Sequence, residues 1–168
     1  MDSIRARPRI KLTPSSTQIG LSIFTAIGVA LAWALFAMYY DKLPQIIWTH
    51  FNGAGVPDGK GPKGTLIPLP IIATLMYLIL TVVIRMPHTY NYPRPITPEN
   101  AERQYGNAVS LMYWMRMEIV WLLVYLEWVM IGTALGLAHG ASILMLPVVL
   151  IVMFASLGIH LVRAYRDR

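Results

Sequence analysis

The chain carries LPQIIWTHFNGAGVPDGKGPK at residues 43–63, a polar segment rich in glycine and proline that separates two long apolar runs. The apolar runs have the composition of membrane helices, so this segment is predicted to be the loop that joins two of them outside the hydrocarbon. A polar loop held between membrane helices is the natural place for chemistry or recognition. The sequence therefore points first to residues 43–63 as a functional site.

The composition is that of an integral membrane protein. Of 168 residues, 56% are hydrophobic and only 13% are charged, whereas a soluble domain carries about 25% charged residues. The mean hydropathy is +0.53. The chain has no cysteine, which excludes disulfides, thiolate nucleophiles, iron–sulfur clusters and cysteine-ligated zinc. Any metal site would therefore consist of histidine and carboxylate ligands.

The net charge of +6 does not indicate nucleic-acid binding. The lysines and arginines stand at the ends of the apolar runs, where such residues set the orientation in the membrane and contact anionic lipid headgroups. We therefore expect membrane lipids, and no nucleic acid, among the partners.

Four apolar runs predict an all-α fold, a four-helix transmembrane bundle with a structured extracytoplasmic loop. A helix needs about 20 residues to cross a hydrocarbon core of about 30 Å. The predicted membrane helices are residues 19–40, 65–84, 119–138 and 141–162. They belong to a single membrane domain over residues 1–168, with an outer loop at 41–64 and a cytoplasmic link and helix extension at 85–118.

The third helix is predicted to begin well outside the membrane. Thr97 is a candidate N-cap and Pro98 suits the first helical position, and no stop signal follows before about Ala138. At 1.5 Å per residue such a helix is roughly 60 Å long, about twice the hydrocarbon thickness. Residues 98–118 are therefore predicted to extend into the cytoplasm or the interface.

The distribution of basic residues predicts the orientation, because cytoplasmic loops of membrane proteins carry an excess of lysine and arginine. One side holds most of them: Arg5, Arg7, Arg9, Lys11, Arg85, Arg94, Arg103, Arg116, Arg163, Arg166 and Arg168. The other side holds only Lys42, Lys60 and Lys63. Both termini are therefore predicted to be cytoplasmic, with the central loop outside.

Two segments carry a family resemblance. They are Leu43-Pro44, His50-Phe51-Asn52, Gly55 and Pro57-Asp58-Gly59, and then Pro87-His88, Tyr90-Asn91-Tyr92-Pro93, Ile96-Thr97, Glu99-Asn100-Ala101 and Arg103-Gln104-Tyr105. From about Asp41 to Trp121 the chain resembles the small bacterial membrane domain of unknown function that also forms the N-terminal part of sporulation-delaying-protein immunity proteins. The resemblance implies a multi-pass protein of a prokaryotic inner membrane, related to immunity or signalling, and transfers no catalytic residue.

Four residues of the outer loop are candidate ligand-binding groups: His50, Asn52, Asp58 and Lys60. The glycines around them permit positive φ and a close approach of the backbone to a ligand. The same residues also have a structural interpretation, because Pro-Asp-Gly and Asn-Gly are sequences that tight turns require. Turn formation explains His50 and Asp58 least well, so these two are the stronger candidates.

A metal site in this loop would need a third ligand, and His139 is the other histidine predicted on the same side. With His50 and Asp58 it would form a set of two histidines and one carboxylate, a pattern with known metal chemistry. No spacing signature supports this set. The sequence therefore predicts neither a cofactor nor an enzyme.

Two charged residues lie on one face of the third helix. Glu127 falls near the middle of residues 119–138, where an ionised carboxylate costs at least about 2.5 kcal/mol, so it must face protein or water. Arg116 lies three helical turns earlier, which suggests a polar stripe entering the membrane from the cytoplasmic side. The stripe could be a relay for a proton or a ligand. The alternative is a structural carboxylate, protonated or hydrogen-bonded to a neighbouring helix or subunit.

A further polar group surrounds the start of the long helix: His88, Asn91, Glu99, Asn100, Arg103 and Gln104. With the tyrosines among them, these residues could dock a partner or lipid headgroups. The alternative, which the aromatic-belt rule favours, is that the tyrosines anchor the interface and the polar residues cap the helix.

The leading hypothesis is a non-enzymatic membrane protein that binds an extracytoplasmic ligand through residues 43–63, either a toxin peptide, an envelope lipid or a signal. One alternative is a small accessory subunit of a larger membrane complex, or a homo-oligomer, in which Glu127 pairs with a cation of its neighbour. A metal-dependent membrane hydrolase ranks third, because no nucleophile–base pair supports it.

Because the chain contains no cysteine, a single introduced cysteine reports the orientation. We expect Ala54→Cys to react with a membrane-impermeant maleimide on intact cells, and Thr89→Cys to react only after permeabilisation. The two variants place one thiol in each predicted compartment. Labelling of Ala54→Cys from the cytoplasmic side alone would reverse the predicted orientation.

Overall fold

The computed structural model describes residues 7–166, which form four α-helices and one β-hairpin. The helices are α1 (Ser16–Tyr39), α2 (Pro68–Ile84), α3 (Ala101–Ala134) and α4 (Met145–Arg166), and the hairpin consists of β1 (Ile46–Phe51) and β2 (Pro57–Pro62). Short 3-10 turns lie at Tyr40–Lys42, Lys63–Leu66 and Pro87–Thr89. Together with the 3-10 turns next to α1 and α2, the four helices are long and apolar enough to cross a membrane, which confirms the predicted helical transmembrane fold. Arg5 and Arg168, counted above among the basic residues, lie outside the described residues.

The chain runs up and down through the bundle, so the two ends of the bundle differ. The end that carries β1 and β2 is called the hairpin end. The opposite end, called the basic end, holds the starts of α1 and α3 and the last turns of α2 and α4.

A capping box sets the start of α1. The Ser15 hydroxyl accepts a hydrogen bond from the amide of Gln18 at 3.3 Å, and the Gln18 side-chain oxygen accepts one from the amide of Ser15 at 3.0 Å. This arrangement satisfies two amides that a helix N-terminus leaves without partners. The helix therefore begins at Ser16 rather than at residue 19.

The start of α3 differs from the prediction. The helix begins at Ala101 and not at Pro98, and Asn100 rather than Thr97 precedes it. The Asn100 carboxamide accepts a hydrogen bond from the amide of Thr97 at 2.9 Å and donates one to the carbonyl of Pro95 at 3.1 Å. These two bonds hold the segment before the helix as a turn. With 34 residues α3 is still about 51 Å long, more than a hydrocarbon core of about 30 Å.

A glycine ends α3 at Ala134 rather than at Ala138. Gly136 has φ 71°, and the amide of Leu137 donates to the carbonyl of Gly132 at 2.8 Å. This is the Schellman pattern, in which a glycine in the left-handed region closes the last turn. The link that follows packs on the hairpin, so α4 begins only at Met145.

The central segment folds as an antiparallel hairpin, which turn signals alone did not predict. Ile46 pairs with Pro62, Trp48 with Lys60, and Phe51 with Pro57. Proline and glycine are depleted in strands. Pairing with the apolar β1 overrides that preference in β2.

The α3 helix is central, because it contacts α1, α2, α4 and β1. It approaches α1 closely at Gly28, where an added Cβ would lie 3.0 Å from Val120 Cγ1 and 3.2 Å from Trp121 Nε1. The Phe24 ring stacks on Trp121 with centroids 4.4 Å apart. The fourth helix is the least enclosed and presents most of its apolar side chains outward, as expected of a helix that faces lipid.

One hydrophobic cluster fastens the hairpin to the helices. It joins Leu43, Ile47 and Leu66 of the central segment to Ala32, Leu35, Val124, Met130 and Ile131 of α1 and α3. Burying one such side chain contributes about 1.5–3 kcal/mol. The hairpin is therefore a fixed part of the fold.

Gly55 lies where the hairpin touches the link before α4, and no other residue fits there. Its φ is 79°, and an added Cβ would overlap the carbonyl oxygen of Ala141. We expect Gly55→Ala to lower the free energy of unfolding by about 1–3 kcal/mol. Thermal unfolding of the purified protein in detergent measures this.

Gly53 provides the matched control, because it has no positive φ and an added Cβ would meet no atom within 4 Å. Gly53→Ala should change the free energy of unfolding by no more than about 0.5 kcal/mol. Equal stability of the two variants would contradict the packing of the hairpin on the link.

Candidate functional site

The hairpin brings together two of the predicted site residues. His50 Nδ1 lies 2.5 Å from Asp58 Oδ1, and the two side chains are 73% and 43% exposed. His50 is opposite Gly59 in the ladder, where an added Cβ would lie 2.9 Å from the His50 Cβ, so glycine leaves room beside the imidazole. A hydrogen-bonded pair this exposed contributes little to stability. The pair is therefore better suited to contacting a ligand than to holding the fold.

The other two predicted loop residues are engaged within the hairpin. The Asn52 side-chain oxygen accepts hydrogen bonds from the amides of Ala54 and Val56 at 2.9 and 3.1 Å, which forms the turn between the strands. The Lys60 ammonium lies over the Trp48 ring, 4.4 Å from its centroid. Asn52 thus builds the site, and Lys60 lies on the neighbouring aromatic surface.

A cavity of about 340 Å³ opens beside His50. Its polar wall comes from the hairpin, and its apolar wall includes Leu126, Met145 and Leu146 from α3 and the start of α4. This cavity, together with His50 and Asp58, is called the hairpin site. It offers an apolar recess next to an exposed donor and acceptor, a combination typical of ligand pockets.

The predicted three-ligand metal set does not form. Among residues 7–166, no three histidine, cysteine, aspartate or glutamate side chains lie close enough to hold a metal ion. His139 is exposed on the link between α3 and α4 and does not join the pair on the hairpin. The reason is that the Schellman end of α3 leaves His139 on a separate loop.

Inside the bundle, Arg116 and Glu127 are both buried, with exposures of 2% and 0%. They face inward as their spacing indicates, but the buried Val120 and Val124 lie between them. Glu127 has no hydrogen-bond partner among the described residues. The predicted polar stripe is therefore interrupted by apolar side chains, and Glu127 is enclosed by its own chain.

The link before α3 is held by its tyrosines. The Tyr90 hydroxyl donates to the carbonyl of Val83 at 2.7 Å, and the Tyr92 hydroxyl donates to that of Pro87 at 2.8 Å. Arg7 donates to the carbonyl of Tyr90 at 2.5 Å and lies over the Tyr92 ring. Burial, with a smaller contribution from Tyr113, raises the pKa of Tyr90 to about 12. The pKa of Tyr92 is also raised by burial.

The predicted polar residues of this region divide between packing and surface. Gln104 is buried and donates to the carbonyl of Ala164 at 2.9 Å, which ties α3 to α4. Asn91, Glu99 and Arg103 are exposed, and a hydrogen bond with the Thr97 side chain lowers the pKa of Glu99. The carbonyl of His88 accepts from Arg7 at 3.3 Å. The motif is therefore divided between residues that serve the structure of the basic end and residues on its surface.

Sequence reasoning did not find the residues around Arg116. Ser22 of α1 and Thr81 of α2 accept hydrogen bonds from its guanidinium, and the rings of Tyr77 and Tyr113 flank it. Ser22 and Thr81 are isolated polar residues within apolar helices, each close to the basic end. No local sequence signal links them to Arg116, because the three residues lie on three different helices.

The family-model match includes the hairpin. Residues 27–74 match the family model of a domain of unknown function, DUF1648. An uncharacterized protein from Archaeoglobus fulgidus is 30% identical over 70 residues, which covers 40% of this chain and 38% of that protein. The chain thus spans well under half the length of this relative. No solved structure matches. The chain is a multi-pass helical membrane protein in which the match to the family model extends from α1 through the hairpin into α2.

Proposed function

We propose that this chain is a non-enzymatic prokaryotic membrane protein that binds an extracytoplasmic ligand at the hairpin site. The observation that carries the proposal is the exposed His50–Asp58 pair beside a cavity of about 340 Å³ on a rigidly held hairpin. Because an exposed pair of this kind adds little stability, we assign it to ligand binding rather than to holding the fold.

The chemistry of the hairpin site favours an amphipathic ligand, in particular a peptide. The recess accepts an apolar side chain, while the imidazole and carboxylate next to it can bond polar backbone or charged groups. The resemblance to immunity proteins supports a toxin-like peptide over an envelope lipid or another signal.

The charge distribution supports an extracytoplasmic hairpin. Arg85 and Arg163 lie at the basic end with most of the other cations, whereas the hairpin end has Lys42, Lys60 and Lys63. Each of these three lysines lies over an aromatic ring, at 5.2, 4.4 and 4.7 Å from its centroid. By the positive-inside rule, both termini are cytoplasmic and the chain lies in the inner membrane.

The two other functions lose support from the geometry. The enclosed position of Glu127 removes the contact through which a neighbouring subunit's cation would have reached it. A metal-dependent hydrolase lacks a third ligand among the described residues. Both remain distinguishable outcomes of the same experiment.

The test is gentle detergent extraction of the protein from its own membrane, followed by mass spectrometry of the intact species and a metal count. We expect a peptide- or lipid-sized ligand at a fixed ratio to the wild type. His50→Ala and Asp58→Ala should lower its occupancy at least about tenfold, since a tenfold loss requires only about 1.4 kcal/mol. Both variants should unfold at the wild-type temperature because the pair is exposed.

Gln45→Ala is the control, because Gln45 is an exposed residue beside β1 and does not line the cavity. It should retain the ligand. Larger subunits bound to all variants would establish the accessory-subunit function instead. A stoichiometric metal lost on His50→Ala would establish the hydrolase, and a wild type that carries nothing would contradict binding at the hairpin site.

A further inference from the structure

A second cavity, of about 430 Å³, lies at the basic end between α1, α2 and α3. Its rim includes Lys11, just before α1, and Arg85, just after α2. Both side chains are exposed. Arg116 lines the same cavity from α3 and is 2% exposed. This space is called the arginine cavity, and it is independent of the hairpin site.

Among residues 7–166, the groups that hold the Arg116 guanidinium are all neutral. It donates to the hydroxyl of Thr81 at 2.7 Å and to that of Ser22 at 2.8 Å. The rings of Tyr77 and Tyr113 flank it, each with its centroid 5.0 Å from the guanidinium carbon. Its Nε–H group is buried and donates to no group of the described residues.

The charge around Arg116 is not balanced within the described chain. Of the residues that the structure describes, three cations and no aspartate or glutamate line the arginine cavity. Removing a cation from water is unfavourable unless a counter-charge compensates it. Cation–π contacts with two tyrosines recover only part of this cost. An anion within the cavity would complete the site.

We propose that the arginine cavity binds the phosphate group of an anionic ligand, with Lys11 and Arg85 contacting the phosphate and Arg116 supplying charge beneath them. Guanidinium groups and lysine ammonium groups are the usual partners of phosphate oxygens. Three cations, with no carboxylate from residues 7–166 beside them, suit a ligand group that has more than one anionic oxygen better than they suit a single carboxylate of a ligand. The rim lies at the ends of α1 and α2, the level at which lipid headgroups occur.

The phosphate can belong to a phospholipid or to a soluble compound, and two probes separate these sources. The full chain, purified in an uncharged maltoside detergent, is titrated with inorganic phosphate against chloride at equal ionic strength. In parallel it is titrated with phosphatidylglycerol against diacylglycerol, which lacks the phosphate. The thermal unfolding midpoint reports binding in each case, because a ligand of the folded state raises it.

We expect the wild-type midpoint to rise with inorganic phosphate, with phosphatidylglycerol or with both, and not with the phosphate-free controls. A rise with inorganic phosphate identifies a site open to soluble phosphates, and a rise with phosphatidylglycerol alone identifies a lipid headgroup site. The Lys11→Gln/Arg85→Gln double variant should bind at least about tenfold more weakly, because it removes both exposed phosphate contacts while leaving every bond of Arg116 in place.

Arg163→Gln/Arg166→Gln is the matched control. It removes two exposed cations from the same end of the bundle, outside the arginine cavity, and should respond as the wild type does. Arg116→Gln should abolish the response, although it also breaks two helix-to-helix hydrogen bonds. The proposal is overturned if neither probe stabilises the wild type beyond its control, or if the Lys11→Gln/Arg85→Gln variant responds as strongly as the wild type.

Discussion

The burial of Leu43, Ile47 and Leu66 against the ends of α1 and α3 is the interaction on which the hairpin end depends. An isolated two-stranded hairpin is marginally stable in water at best, and β2, with the sequence PDGKGP, is a poor strand by composition. Each fully buried side chain of this kind contributes about 1.5–3 kcal/mol, enough to offset that weakness. Because these buried side chains lie on β1 and on the segments that flank the hairpin, the turn between the strands can carry polar residues.

The turn between the strands is then held by two further sets of hydrogen bonds. Asn52 closes the turn with two hydrogen bonds, and the carbonyl of Gly55 accepts a bond from the amide of Ala141 at 2.9 Å. The hairpin, the link before α4 and the start of α4 therefore enclose one recess, with His50 on its wall. The basic end is built differently, around a buried arginine held by hydroxyl groups and tyrosine rings. The buried Val120 and Val124 separate that end from Glu127.

The helical fold was predictable because four apolar runs of membrane-spanning length leave a chain few alternatives in hydrocarbon, where every backbone polar group needs an internal partner. The helix ends were less predictable. Gly136 ends α3 before Ala138 by adopting a positive φ, and Asn100 rather than Thr97 lies at its start. Such choices depend on local hydrogen bonds that composition does not specify.

The candidate site was predictable in its residues and not in its architecture. His50 and Asp58 were identified because turn formation did not explain them. The hairpin that brings them within 2.5 Å was not predicted, because β2 carries prolines and glycines that are typical of turns. Ser22, Thr81 and Tyr77 could not be assigned to Arg116 from the sequence, because the contacts join three helices that are far apart in the chain. Contacts of this range appear only once the helices are packed.

Hydrogen–deuterium exchange of the wild-type protein in lipid nanodiscs measures whether residues 46–62 form an ordered hairpin that is fixed to the helix ends. We expect the paired amides of β1 and β2, with those of Ala54 and Val56 in the turn, to exchange at least about a hundredfold more slowly than in an unstructured peptide. Exchange of these amides at the rate of a free loop, while the helices stay protected, would contradict the ordered hairpin and the hairpin site on it.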